Sequence, residues 1–431
     1  MKRKALQQMK EWKDRYDRKP LVLEGARQVG KTWLMREFGR LYFDDVAAFN
    51  FDENEALKDL FRDTKNPQIL IEKLGLIHGK AILPGKTLII FDEIQASPDA
   101  LNSLKYFREK ANEYIIVSAG SLLGVYLASG HSHPVGQVDI LQIYPLSFEE
   151  FLEASDSSLF EYYSQIRKDT TIDTIFHNRL NDLYLTYLIV GGLPECVQTW
   201  IKTKDASEVA QKQKDLLTIY ERDFSKHYEK VSAARILMVY RNIPTQLAKT
   251  NNKFIYKDIQ KGARARSFEE AIEWLVTAGI VNRLYLTRKN ESPLNGFTDL
   301  SSFKLYLFDT GLLKAMADIP NEQIVLNKDY QFKGSLTENY VLQQLKTILS
   351  SEPKYFTFEK YEIDFMIQDK SGNIIPLEVK AKNSVSSVSL NAYNKRFVPK
   401  LRIRYSMLNY KKDENMINIP LYLIGKTTEL I

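Results

Sequence analysis

Cysteine occurs once in the 431 residues, at Cys196, so the chain can form neither an internal disulfide nor a cysteine-based zinc site. Histidine is nearly as sparse. Of five, only His131 and His133 stand close together, in a polar stretch that reads as a loop with no third ligand beside it. Long apolar runs are also missing. No stretch approaches the roughly 18 apolar residues that a membrane-spanning helix needs, and the basic start from Met1 to Lys10 is followed by no apolar core. A cytoplasmic protein with no membrane partner is the expectation. Neither sign of charge prevails: 60 Lys and Arg against 54 Asp and Glu leave +6, too mild over this length to select a polyanionic partner. Apolar residues, at 44%, are plentiful enough for real cores, and the length suggests about two to four domains.

The stretch from Gly25 to Thr32 spells a complete phosphate-binding loop, G-x-x-x-x-G-K-[ST]. It follows the apolar run Leu21 to Leu23 and precedes a helix-like segment from Trp33 to Phe38, which is the strand, loop and helix context such a loop requires. A bound nucleoside triphosphate is the direct implication. Gly25 and Gly30 let main-chain N–H groups close around phosphates, Lys31 reaches the β and γ oxygens, and the Thr32 hydroxyl is placed to ligate Mg²⁺ at a helix N-terminus.

Downstream, Thr87 to Phe91 forms an apolar strand that delivers Asp92 and Glu93 at its end. Paired acids at the end of a buried strand call for a cation. Asp92 is assigned to Mg²⁺ through its water shell, and Glu93 to the attacking water as general base. A further strand, Tyr114 to Val117, runs into Ser118 and Ser121. For these two hydroxyls both readings stand, γ-phosphate sensor or polar strand-end turn.

Near the C-terminus, Glu362 to Gln368 and Ile374 to Lys380 flank the turn Asp369 to Asn373 and read as a hairpin centred on Ser371. A symmetric register sets Ile363 opposite Val379, Phe365 opposite Leu377 and Ile367 opposite Ile375, giving one wholly apolar face. The other face then brings Asp364 opposite Glu378, and Glu362 opposite Lys380. Like charges facing at roughly 5 Å disfavour the pairing, so a proton or a cation has to relieve Asp364 and Glu378. The alternative is an acidic hairpin face with a Glu362–Lys380 pair.

Together these motifs resemble the AAA+ branch of P-loop ATPases, and more narrowly a family of prokaryotic ATPases with a C-terminal nuclease-like domain. The carriers are the Gly25–Thr32 loop, the box from Phe91 to Gln95, Gly120 with Ser121, Pro145 to Leu152, Gly191 to Pro194, Asp309 to Leu312, Gly334 with Glu338, and Leu377 to Lys380. The resemblance implies ATP as the nucleotide. It also implies a restriction-endonuclease-like core in which Asp364 and Glu378 bind Mg²⁺ while Lys380 assists the nucleophile. A preceding helix, Ser335 to Leu349, offers Glu338 as a third metal ligand, although Ser335 and Glu338 have equally the spacing of a capping box.

The fold class is α/β, with four expected parts. Residues 1–150 are the P-loop AAA+ parallel-sheet core and 151–230 a helical lid striped by Leu180, Leu183, Tyr184, Tyr187 and Leu188. Residues 231–318 form a winged-helix domain and 319–431 the restriction-endonuclease-like α/β domain. In the winged helix, a capping box from Ser267 to Glu270 opens the third helix. That helix carries Glu269, Glu270 and Glu273, which oppose a phosphate field, whereas Lys257, Lys261, Arg264 and Arg266 precede it. Arg402 and Arg404 make a second basic cluster, explained equally by a nucleic-acid backbone or by a charged edge strand.

Two functions follow. In one, Mg·ATP hydrolysis drives action on DNA or RNA, with metal-dependent phosphodiester cleavage as its furthest extent. In the other, an ATP-dependent switch uses a non-catalytic nuclease-like domain to hold nucleic acid or a protein partner. No arginine finger is evident, so a second copy of the chain or another protein is a candidate source.

Overall fold

Runs of β-branched and apolar residues four to six long, too short for buried helices, form the strands of the first unit. In the computed structural model, which describes residues 1–120, 123–128, 136–224, 232–249, 252–262, 264–381 and 386–431, this unit comprises Met1–Tyr144 with Thr277–Gly279. Its strands are β1 (Leu21–Glu24), β2 (Asp45–Asn50), β3 (Thr87–Asp92), β4 (Ile115–Ala119) and β5 (Asp139–Gln142). They are all parallel, in the order β2-β3-β4-β1-β5. Parallel strands require crossover helices, and β3 and β4 are accordingly almost wholly buried. Phe51, Phe61 and Phe107 pack around Phe91 in the core between sheet and helices, with ring centroids 5.5–6.5 Å apart. In an open parallel sheet, ligands sit beyond the carboxyl ends of the strands, where β1 delivers Gly25 and β3 delivers Asp92.

The second unit comprises Pro145–Val276 and Ile280–Ile431. It opens with helices Phe148–Ser155, Ser157–Gln165, Thr174–Val190, Pro194–Thr203 and Ala206–Phe224. The first of these has a true capping box: Ser147 N–H donates to Glu150 Oε2 at 2.8 Å, and Glu150 N–H to Ser147 Oγ at 3.3 Å. The expected stripe lies on Thr174–Val190, with Leu180, Tyr184, Tyr187 and Leu188 buried.

Eight strands form its sheet: β6 (Val281–Thr287), β7 (Thr298–Leu307), β8 (Lys354–Phe358), β9 (Tyr361–Gln368), β10 (Ile374–Val379), β11 (Arg402–Ser406), β12 (Lys411–Asp413) and β13 (Met416–Pro420). The order is β12-β13-β11-β10-β9-β8-β6-β7. The boundary expected at 318 therefore falls inside one continuous sheet. β6 pairs antiparallel with β7 and in parallel with β8.

Two expected capping boxes are not formed. The helix Ala265–Thr277 begins two residues before Ser267, and the helix Lys333–Lys346 begins two before Ser335. Both serines are interior, and Ser335 Oγ donates to the Leu247 carbonyl instead. Neither helix therefore starts where the S-x-x-E spacing placed it. Among the described residues no helix is long and apolar enough to cross a membrane.

Candidate functional site

The phosphate loop leaves β1 and enters the helix Lys31–Tyr42 through Gly30, whose φ of 92° only glycine adopts cheaply. Gly25 is excluded from substitution by space as well, since a Cβ there would lie 2.2 Å from the Ile143 carbonyl oxygen. Lys31 is buried, and its Nζ donates to the carbonyls of Gly25 and Ala26, each at 2.8 Å. Burial pushes its pKa down to about 8, with Glu93 and Asp92 opposing that shift and Arg27 adding to it.

Thr32, the second helical residue, lines the same groove as Asp92 and Glu93. The start of the helix and the end of β3 thus face one groove. Burial raises the Asp92 pKa; the nearby Thr32 hydroxyl opposes the shift, and neighbouring Glu93 reinforces it. Glu93 follows in the left-handed region (φ 50°), and its N–H donates to Asp92 Oδ1 at 3.1 Å. Its Oε2 accepts from Gln95 Nε2 at 2.6 Å. A groove of about 730 Å³ opens beside Thr32, Asp92 and Glu93 and continues past Arg36, Asn50 and His78.

Ser118 is placed differently from a γ-phosphate sensor. It is fully buried, and its Oγ donates to the Leu21 carbonyl at 3.2 Å, bracing β4 against β1. Ser121, like His131 and His133, lies outside the described residues. Two supporting roles, those of Arg3 and Gln95, are not assigned from the sequence. Arg3 donates to the Val29 carbonyl at 3.1 Å and the Tyr144 carbonyl at 2.7 Å, holding the loop from behind. Gln95, which carries Glu93, also explains Gly120, because a Cβ there would lie 1.8 Å from Gln95 Oε1. The proximity of Gln95 to Glu93 was the only local signal for either.

In the second unit the hairpin forms with the expected register at Phe365–Leu377 and Ile367–Ile375. The ladder ends there. Beyond it the Asp364 carboxylate, rather than its main chain, accepts the Val379 N–H at 2.7 Å. On its other edge β9 sets Asp364 and Phe365 against one residue of β8, a bulge that redirects the strand. Glu362 does not meet Lys380: it pairs with Lys304 of β7 at 2.6 Å, and Lys380 pairs with Glu378 at 2.6 Å. Glu338 reaches the same region from the helix Lys333–Lys346. Its Oε2 accepts from Tyr306 Oη at 2.7 Å and Asn252 Nδ2 at 3.1 Å. Burial drives the Asp364 pKa well up, aided by Glu338 and Glu378 and opposed by Lys304.

The three acids assigned to Mg²⁺, Glu338, Asp364 and Glu378, are thus each engaged by protein donors. Among the described residues no three of His, Cys, Asp and Glu are arranged to hold a metal ion. The residues as they stand do not fit the expected site.

Two charge assignments also change. Arg283 takes up Glu273 and Glu269 at 2.8 and 3.0 Å, so part of the acidic helix face is balanced internally. Arg404 is buried and donates to Asn418 at 2.8 Å, and Arg402 is bound by Asn415 and Asn391. These arginines knit β11 to its surroundings.

With the loop and strand order established, the comparison with known proteins bears on the first unit directly. Residues 17–152 match an AAA domain. The match, the complete loop and the β2-β3-β4-β1-β5 order make the N-terminal part an AAA-type P-loop ATPase core. C-terminal to the AAA domain, residues 181–323 and 333–424 match two domains of unknown function (DUF8612 and DUF4143). The chain is 24% identical over 379 residues to the uncharacterized protein MJ1544 of Methanocaldococcus jannaschii, spanning 87% of this chain and 78% of that one. Among solved structures, it is similar to the Walker-type ATPase PABY2304 of Pyrococcus abyssi (14% identity, 73% of this chain and 94% of that one, TM-score 0.46). It is also similar to the Aeropyrum pernix ORC1 protein, solved in complex with DNA (13%, 74% and 91%, TM-score 0.30). A third is the Thermotoga maritima RuvB Holliday junction branch migration motor (14%, 66% and 90%, TM-score 0.32).

Proposed function

We propose that the AAA domain hydrolyses Mg·ATP and that turnover switches the second unit's hold on nucleic acid or a protein partner, without strand scission. The observation that carries the ATPase reading is the groove lined by Thr32, Asp92 and Glu93, which brings a hydroxyl and two carboxylates together near the buried Lys31. This donor set fits Mg²⁺, which when bound neutralises charge on the β and γ phosphate oxygens. Thr32 and Asp92 are the residues to hold it. Gly25 and Gly30 shape the loop whose N–H groups face the phosphates. Lys31 would exchange the carbonyls of Gly25 and Ala26 for phosphate oxygens. Glu93, anchored by Gln95, would accept the proton of the attacking water.

The switch reading for the second unit is favoured by the pairing of its acids with Lys304 and Lys380. Exposed Lys257, Lys261, Arg264 and Arg266 offer contacts to a phosphate backbone. The cleavage reading, with Asp364, Glu378 and Lys380 as its residues, is supported by the register that brings Asp364 to the end of the Phe365–Leu377 ladder.

The test follows phosphate release and strand scission together on single-stranded and duplex DNA and RNA. Wild type is expected to release phosphate without cutting, Lys31→Ala to lose ATP binding, and Glu93→Gln to bind ATP and not turn it over. Turnover by Glu93→Gln at the wild-type rate would overturn the assignment of the base. Scission abolished by Lys380→Ala would restore the nuclease reading.

A further inference from the structure

The acids around β9 and β10 would repel one another unless a positive charge lay among them. That charge is present, and it arrives from a part of the chain no motif marks. Lys304 of β7 is 1% exposed and reaches across the sheet face, with its Nζ 5.1 Å from the centre of the Tyr355 ring. The Nζ lies 2.6 Å from Glu362 Oε1 and 4.0 Å from Glu338 Oε2.

We infer that the Lys304 ammonium is a built-in cation, standing in for a divalent metal among Glu338, Glu362 and Asp364, so that this core is closed without metal. The remaining lone pairs are satisfied to match. Glu338 accepts from Tyr306 and Asn252, Asp364 from the Val379 N–H, and Glu378 is paired with Lys380. A Mg²⁺ ion demands several oxygens at roughly 2.0–2.1 Å in octahedral array. An ammonium needs only hydrogen-bond distances and a ring face, as found here. A divalent ion entering the cluster would also have to sit beside the Lys304 charge. Removing that charge should leave a latent site for a divalent cation. The cluster lies wholly in the second unit, and its test needs no nucleotide.

The two possibilities differ in what neutralising an acid does to the metal-free protein. In an unfilled metal site, loss of one carboxylate relieves repulsion and raises stability; in a lysine-filled cluster it strands a buried ammonium. The experiment is thermal unfolding of the full chain in EDTA and in Mn²⁺, without nucleotide. In EDTA, Glu362→Gln is expected to lower Tm by roughly 5 °C or more. Mn²⁺ is expected to raise the Tm of Lys304→Met, to do so less in Lys304→Met/Glu338→Gln, and to act equally on wild type and Asp364→Asn. A higher Tm for Glu362→Gln in EDTA, or a Mn²⁺ shift of wild type that Asp364→Asn abolishes, would overturn the inference. Should Lys304→Met fail to fold, the Glu362→Gln comparison and the wild-type and Asp364→Asn pair still decide it.

Discussion

The Asp309 carboxylate accepts the main-chain N–H of Gly192, 117 residues away in sequence, at 2.7 Å. Its other oxygen caps the helix Thr310–Met316 by accepting the Leu312 N–H at 3.0 Å. One buried acid therefore joins the break after Thr174–Val190 to the start of a helix following β7, and gives the Gly191–Pro194 and Asp309–Leu312 motifs a shared structural role.

Burial pushes the Asp309 pKa up to about 6, although the N–H groups of Gly192 and Leu312 and the Gln343 amide favour its charge. The folded state thus binds the proton more tightly than the unfolded state. The associated stability is fully present below about pH 4 and is lost as pH rises to about 6, a change of roughly 3 kcal/mol. Asp309→Asn lacks this dependence. Denaturant unfolding of both proteins should show the stability advantage of wild type narrowing from pH 4 to pH 7; a constant gap would exclude a raised pKa.

Gly191 has φ 75°, and a Cβ on it would lie 2.3 Å from Asp309 Oδ1. Gly191→Ala meets conformational strain and a clash together, for an expected loss of about 2 kcal/mol or more. Gly79 has φ 78° but nothing within 4 Å of its would-be Cβ. Gly79→Ala, carrying the conformational term alone, should cost distinctly less in the same thermal scan.

In the proposed function Lys31 meets phosphate as its ammonium and so needs its proton. With its pKa lowered to about 8 by burial, ATP binding should weaken as pH rises above about 8, by up to roughly tenfold per unit. Lys31→Arg, whose guanidinium stays charged, should bind with little dependence on pH. Titrations with a fluorescent ATP analogue from pH 7 to 10 measure this; parallel curves for the two proteins would contradict it.

Gln95 positions Glu93, whereas Ser118 braces two strands. Gln95→Ala is expected to lower kcat about tenfold with ATP affinity unchanged, through misplacement of Glu93, the proposed base. Ser118→Ala should cost about 1 kcal/mol of stability and leave kcat near wild type. A large kcat loss in Ser118→Ala at unchanged stability would return Ser118 to the phosphate.

Local order was readable wherever its cause is local. The loop from Gly25 to Thr32 could be read because its glycines, lysine and threonine act within one turn of chain. The β9–β10 register at Phe365–Leu377 could be read because a two-residue period and a short turn leave little choice. Helix starts were less legible: S-x-x-E spacing occurs at Ser147, Ser158, Ser267 and Ser335, yet of these only Ser147 caps a helix. The spacing is necessary for a capping box, but the surrounding packing decides whether the helix extends past it.

The sequence by itself determined the nucleotide-binding chemistry, since the N–H groups, ammonium, hydroxyl and carboxylates that chemistry uses are specified by residue type and spacing. It could not assign partners to charges. Glu362 had a candidate in Lys380 by register, yet the sheet order β9-β8-β6-β7 brings Lys304 from 58 residues away. Arg402 and Arg404 looked free for phosphate until folding placed asparagines beside them. Only the tertiary structure decided these, because a side chain on a strand meets whatever the neighbouring strands and helices present, and that adjacency is a property of the whole sheet.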